Sequence, residues 1–282
     1  MMDAHPISIP GISASARLLR GFAVDFLTAH NPAATQWVMD PAYCLSISGV
    51  VLDGRDDVYL PATVAQLEQF PGLCVTVHDV IIGPDAVAMR FTEHGVAIRQ
   101  PGCAAAWGGI TLFQIENGRL RRGWAEEDYF ARKRQLKTGI CDAILAPHQA
   151  PWDVADALPQ PATEAVARAW LNEPGSIVDP AQIDAICMEG PSFAALIAPD
   201  EVRINQLFSA GNRVAFHADG HGRYMGGFDD IDPRLIGQKV VLPFAGMVTV
   251  QDGRVAHVQI SADRLGLYRH LLGLNAAELG AS

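Results

Sequence analysis

Apolar positions along residues 13–30 fall at Leu18, Leu19, Phe22, Phe26 and Leu27, with Arg17, Arg20 and Asp25 between them. That spacing predicts a one-faced helix. It ends at Asn31-Pro32, because the residue before a proline is pushed out of the helical region. A second helix is predicted over 57–70 (Val58, Leu60, Val64, Leu67), stopped by Pro71-Gly72. From Cys74 the period changes to two, over 74–80, 86–91, 110–115 and 120–124. The last two runs flank Asn117-Gly118, a strong hairpin signal. Helices followed by a meander of half-buried antiparallel strands define an α+β unit whose helices cover one face of the sheet.

The pattern then recurs. Gly83 before Val87-Ala88 answers to Gly211 before Val214-Ala215, and His94-Gly95 to His221-Gly222. Asn117-Gly118 answers to Asp252-Gly253, and Asp128 to Asp263, both at an interval of 135 positions. A repeat of this length predicts two domains of one fold. They are placed at 10–137 and 161–275, the second opened by a helix over 162–171. Between them, 138–160 reads as a linker with Gly139, Pro147, Pro151 and Pro159. Its Ile140, Ile144, Leu145 and Trp152 predict that it packs down. The first unit spends residues 31–56 between its helices, including Trp37, Tyr43 and Val50-Val51-Leu52, whereas the second spends only 172–182. A segment that could line a pocket mouth is therefore short in the second unit, and any chemistry is expected in the first.

Composition narrows the class. With 282 residues, 49% hydrophobic and 18% charged, the chain is long enough and apolar enough for two cores. A formal net charge of −10 argues against nucleic acid or an anionic membrane as partner. No apolar run approaches a bilayer span, and residues 1–10 carry no secretory signal. Five cysteines, Cys44, Cys74, Cys103, Cys141 and Cys187, show no paired spacing, which fits buried thiols in a reducing cytoplasm. P-loop, GxGxxG, GxSxG and HExxH motifs are absent, so no nucleotide, α/β-hydrolase or zincin reading has support.

The stretch from Phe70-Pro71-Gly72-Leu73 through Val77-His78-Asp79 resembles the opening motif of the SnoaL-like polyketide cyclases. Gly83-Pro84-Asp85-Ala86-Val87-Ala88-Met89-Arg90 matches their next motif. Trp124, Asp128, Gln135 and Leu136 match the closing one, in which three residues separate a Trp from an Asp. In the second copy these positions hold Gln259 and Asp263, and His270 replaces the usual Gln. The wider group is similar to nuclear transport factor 2 and ketosteroid isomerase. The resemblance implies two cystatin-like, cone-shaped α+β barrels, each a curved antiparallel sheet around N-terminal helices with an apolar hollow. It implies a small hydrophobic ligand and no cofactor. Relatives that dimerise through their sheets suggest a pseudo-dimer within the chain, with a further homodimer left open.

In such cyclases the Asp matched by Asp128 is the general acid/base, so Asp128 is the candidate base, with His94 or His78 steadying an oxyanion. Period-two geometry puts Arg122, Trp124, Glu126 and Asp128 on one face of the last strand, which could join an apolar wall to a carboxylate. Against this, Glu126-Glu127-Asp128 also reads as a solvated strand end. Tyr43 and Trp37 are candidate walls of the mouth, and Arg90 a polar contact or an outward ion-pairing residue. In the second unit His217, Asp219 and His221 share a strand face. They spread over about 13 Å, too far to close on one metal ion without a bend, and no metal is expected. His257, Gln259 and Asp263 line a second polar face. The function expected is binding of a small hydrophobic ligand, or cofactor-free cyclase, isomerase or dehydratase chemistry on a small carbonyl compound. The alternatives are a non-catalytic binding or assembly module and an epoxide hydrolase-like enzyme.

Overall fold

The computed structural model describes residues 11–173, 175–178, 183–185 and 190–280, with 183–185 and 275–280 by backbone alone. Helix α1 (Ala14–Arg20) is capped by Ser13, whose hydroxyl accepts from Ala16 N, and continues as a π-helical stretch, Gly21–Thr28. The widened turn starts where the helix meets Trp37: a Cβ on Gly21 would lie 2.2 Å from that ring. A one-turn helix α2 (Thr35–Val38) leads into strands β1 (Met39–Ile47) and β2 (Val50–Asp53). A second π stretch, Arg55–Tyr59, runs into α3 (Leu60–Gln69). Strands β3 (Cys74–Ile82), β4 (Ala86–Val96), β5 (Ala104–Glu116) and β6 (Arg119–Glu127) follow, then α4 (Tyr129–Thr138). The sheet order is β2-β1-β6-β5-β4-β3, with β1 parallel to β6 and the other pairs antiparallel.

The second unit repeats this plan. It contains α5 (Pro161–Asn172), β7 (Ile183–Ala185), α6 (Phe193–Leu196), β8 (Ile197–Ala210), β9 (Arg213–Tyr224), β10 (Lys239–Gln251), β11 (Arg254–Ala262) and α7 (Arg264–Gly280). Its order, β7-β11-β10-β9-β8, again sets a short parallel strand beside the last one. Both hairpins turn on two residues of positive φ, Asn117-Gly118 and Asp252-Gly253, as the sequence requires. Each carries a register shift two residues before the turn-side pairing ends, between Gln114 and Ile115 and between Thr249 and Val250. These bulges are themselves 135 positions apart. Asp128 caps α4 through Ala131 N, and Asp263 accepts from Gly266 N at the start of α7. Among the described residues the second sheet has no counterpart of β2.

The concave side of each sheet faces its own helices. In the first, Phe22, Phe26, Tyr43, Tyr59 and Phe113 form the aromatic interior. In the second, Trp170, Phe193, Phe216 and Phe244 are in ring contact and fill the corresponding space. The convex faces pack on each other through Ile81, Ala88, Ile110 and Leu112 of the first unit and Phe208, Ala210, Ala215, Ala245 and Met247 of the second. Three polar pairs ring this patch: Asp79 with Arg213, Glu126 with His217, and Asp128 with Arg264. The expectation of one covered sheet face is therefore corrected, since both faces are buried and β5 is enclosed almost along its length. Residues 140–160 carry no helix or strand and lie along β3, with His148 N donating to Val77 O and Ala157 N to Ile82 O. Cys44, Cys74, Cys103 and Cys141 are free thiols; Cys187 lies outside the described residues. No helix among the described residues is long and apolar enough to cross a membrane.

Candidate functional site

Strand phase decides what faces the hollow of the first cone. On β4 the inward positions are Val87, Met89, Phe91 and Glu93. Register then fixes the neighbours: Glu93 lies opposite Trp107 and Phe91 opposite Gly109, while Gly109 lies opposite Glu127 of β6. Glu93 and Glu127 thus flank the Trp107–Gly109 stretch on the same inner face. They line one end of a cavity of about 130 Å³, whose other walls include Phe22, Leu45, Leu52, Tyr59 and Phe113. Leu52 belongs to β2, which has no counterpart among the described residues of the second unit.

Both carboxyls are buried, at 3% and 7% exposure, and neither is left without partners. Gln66 Nε2 of α3 donates to Glu93 Oε2 at 2.7 Å, and Trp107 Nε1 donates to Glu127 Oε2 at 2.9 Å. The Tyr129 hydroxyl stands beside Glu127. Arg132 stacks 4.9 Å over Trp107 and 4.3 Å over Tyr129, so its charge stands beside the pair without a direct ion pair. Helix α4 is held to the sheet by Gln135, whose Oε1 accepts from Ala106 N and whose Nε2 donates to Ala106 O.

Burial raises both pKa values, and the charge of Glu127 raises that of Glu93 further, while Arg132 opposes the rise. Two close carboxyls in an apolar hollow hold a shared proton more readily than two negative charges. Desolvation also raises the hydroxyl pKa of Tyr59 and Tyr129, so both remain hydrogen-bond donors at neutral pH. The site therefore offers a carboxylate base, a carboxylic acid and phenolic donors around an apolar space.

Gly109 makes this geometry available. A Cβ there would lie 2.7 Å from Phe91 Cζ and 2.9 Å from Glu127 Cγ. Gly109→Ala is expected to displace Glu127 and to destabilise the protein by about 1–3 kcal/mol, the usual range for overpacking. Thermal unfolding together with ligand titration measures both effects.

The residues singled out from the sequence lie elsewhere. Asp128 is not in the cavity wall: its Oδ1 accepts from Ala131 N at 3.1 Å and from Arg264 Nε at 3.0 Å. Its other oxygen accepts from Arg264 Nη2. The cavity wall therefore holds Glu127 in place of Asp128, because neighbouring residues at the end of β6 point to opposite faces. Arg122, Trp124 and Glu126 do share a face, as expected, but it is the convex one. Nor is 126–128 a solvated strand end; all three acids are buried against the second unit or the cone.

His78 lies at a bulge of β3, bonded to Thr92 Oγ1 at 2.7 Å and Ala146 O at 2.9 Å, while His94 meets Thr76 Oγ1 at 3.0 Å. Neither histidine lines the cone, nor does Arg90. Tyr43 is wholly buried and packs edge-on to Tyr59, and Trp37 packs on Gly21, so neither walls the mouth. In the second unit His217 faces the first unit, His221 lines a surface groove, His257 is exposed, Gln259 lies opposite Met247 of the interface, and Asp263 caps α7. None of the five enters the second cone. Among the described residues no three His, Cys, Asp or Glu side chains converge to hold a metal ion.

Four buried carboxyls with raised pKa values, Glu93, Glu126, Glu127 and Asp263, make stability depend on pH. Burial pushes Glu126 up from 4.5 to about 7, with His217 opposing. A raised carboxyl favours the folded state while protonated, so its contribution is complete below pH 4.5 and is lost as pH rises through about 7. The melting temperature is expected to fall between pH 5 and pH 8, and Glu126→Gln to reduce that fall. Calorimetry at the two pH values checks this.

The geometry defines an α+β cone with paired acids in an apolar hollow. Residues 17–136 match the family described as SnoaL-like polyketide cyclase. That match spans the first unit, and the second unit, outside it, repeats its topology. Similar solved structures include a protein described as a SnoaL-like polyketide cyclase from Jannaschia sp. CCS1 (17% identity, 46% of this chain and 95% of that one, TM-score 0.41). Another, described as a polyketide cyclase, is from Acidithiobacillus ferrooxidans (21%, 47% and 99%, 0.41). A third is an LEH-like epoxide hydrolase from M. tuberculosis (14%, 46% and 95%, 0.39). Among curated proteins no sequence matches this chain.

Proposed function

We propose that the first cone carries out cofactor-free acid/base chemistry on a small, mostly apolar ring compound bearing a carbonyl group. The observation that carries this reading is the Glu93–Glu127 pair at the end of an otherwise apolar cavity. Glu127, ionised, removes the proton from the carbon next to the carbonyl. The C–H electron pair moves into the new C=C bond, and the carbonyl oxygen takes up the charge. Protonated Glu93 and the tyrosine hydroxyls are the donors for that oxygen, and returning the proton to a different carbon completes an isomerisation. A cavity of about 130 Å³ is of the size that admits a single ring, since an apolar cavity of about 150 Å³ takes benzene.

The test works with the natural substrate still unidentified. A panel of cyclic ketones and enones in D2O, followed by proton NMR, reads exchange next to the carbonyl directly. Exchange above the buffer rate for at least one of them is expected. Binding of a panel member without exchange favours the alternative, a ligand-binding module. A third reading has one observation in its favour: two carboxyls and Arg132 stand near one another, the set that epoxide opening by water requires. Diol formation from a small cyclic epoxide distinguishes it. In either catalytic reading the second unit serves as the built-in partner for the convex face of the first, as a second subunit would in a homodimer.

A further inference from the structure

A second cavity, of about 310 Å³, opens between the two units on the convex side of the first sheet. Its floor is the Glu126–His217 pair, at 1% and 4% exposure, contributed by one unit each. Asp219 orders this floor. Its carboxylate only accepts, so the Asn205 side chain turns its NH2 group towards Asp219 Oδ2 at 3.0 Å. The same NH2 reaches His217 Nδ1 at 3.1 Å. Nδ1 is then the acceptor, and Nε2 carries the hydrogen that Glu126 Oε1 accepts at 3.0 Å. Ser48 N donates to Glu126 Oε1, and Ser48 Oγ lies 3.4 Å from Oε2. Glu126 and Asp219 Oδ2 thus accept from protein donors.

The walls differ from the floor. Trp124, Ile47, Val51 and Pro243 are apolar, and Val50 and Val51 are 54% and 61% exposed on the β1–β2 turn at the rim. Arg122 is exposed at the same rim and stacks 4.9 Å from the Trp124 ring. Among the described residues that ring is its partner, and no carboxylate pairs with it. A planar guanidinium beside apolar walls suits a carboxylate carried on an apolar body. The volume, about twice that of a cavity of about 150 Å³ that takes benzene, leaves room for a ring with a short chain.

We propose that this cleft is a second small-molecule site, which takes a compact aryl-carboxylic acid with its carboxylate on Arg122 and its ring between Trp124, Val51 and Pro243. The site stands apart from the cone, because Glu126 and Glu127 project from opposite faces of β6.

The probe is 3-phenylpropionate, with the neutral 3-phenylpropanol as its control. Intact protein labelled with 5-fluorotryptophan reports Trp124 in the cleft and Trp107 in the cone as separate fluorine resonances, assigned by Trp→Phe variants. The acid is expected to shift the Trp124 resonance saturably and to leave Trp107 in place. It is expected to bind at least about tenfold more tightly than the alcohol, the worth of one charge-assisted contact. Arg122→Ala, a substitution at an exposed side chain, is expected to remove that preference. Calorimetric titration of wild type and R122A gives the same comparison without any tryptophan substitution. A shift of Trp107 alone, equal affinity for acid and alcohol, or a preference that survives in R122A overturns the proposal.

Discussion

Glu127→Gln is expected to lower exchange next to a ketone carbonyl by about 10²- to 10⁴-fold, the usual contribution of a positioned base. An amide cannot take the proton, yet it fills the same space and its oxygen still accepts from Trp107 Nε1. The substitution is also expected to raise the melting temperature at pH 8. It removes an ionisable group that burial penalises, and it relieves Glu93 of a neighbouring charge. Loss of activity with a gain in stability marks a site held in an unfavourable state for function. Glu93→Gln keeps a donor for the oxygen and is expected to slow exchange less. Equal losses from the two substitutions would make the pair a single unit without separate acid and base. Undiminished exchange in Glu127→Gln would remove the cone from the chemistry altogether.

Why the sequence pointed to Asp128 is clear from β6. Its alternation was legible, and Arg122, Trp124, Glu126 and Asp128 do share a face. What alternation cannot say is which face is inside when both are covered, and here the sheet is packed on each side. Trp124 suggested an inward wall, yet the inward positions are the small Gly123 and Ala125. Gly123 is small because a Cβ there would lie 2.5 Å from Tyr43 Oη and 3.2 Å from Phe113 Cδ1. Bulk from β1 and β5 occupies the space that β6 leaves. The signal was therefore on the neighbouring strand, where Trp107, Gly109, Thr111 and Phe113 alternate inward and Gly109 marks room for a larger side chain opposite. His78 was misplaced for the same reason: its side of the sheet is covered by the 140–160 segment, which local periodicity does not reveal.

The duplication, by contrast, was legible from turn chemistry. Asn117-Gly118 and Asp252-Gly253 fix two-residue hairpins, and the 135-residue interval carries through to the bulges and the helix caps at Asp128 and Asp263. Ion pairs between units leave no such periodic trace. Asp128 and Arg264 are 136 positions apart and meet only because the convex faces stack.

That pair yields the largest expected loss of stability. Arg264 is 3% exposed, and Asp128 is its carboxylate partner; Arg264 Nη1 also donates to Pro191 O at 3.0 Å. Asp128→Ala leaves a guanidinium buried without its counter-charge, which costs about 3–5 kcal/mol. It also removes the cap on Ala131 N, worth about 1 kcal/mol. At roughly 2–4 °C per kcal/mol for a chain of this order, the melting temperature is expected to fall by about 10 °C or more. Arg264→Met combined with Asp128→Ala is expected to recover much of the loss, since no unpaired charge then remains, and a double-mutant cycle measures the coupling. The gentler Asp128→Asn separates support from catalysis. If Asp128 joins the units and Glu127 moves the proton, Asp128→Asn lowers the melting temperature while exchange per folded molecule stays near wild type. The opposite pattern, exchange lost at unchanged melting temperature, would return the base to Asp128 and would require its carboxylate to leave Arg264 and reach the cone.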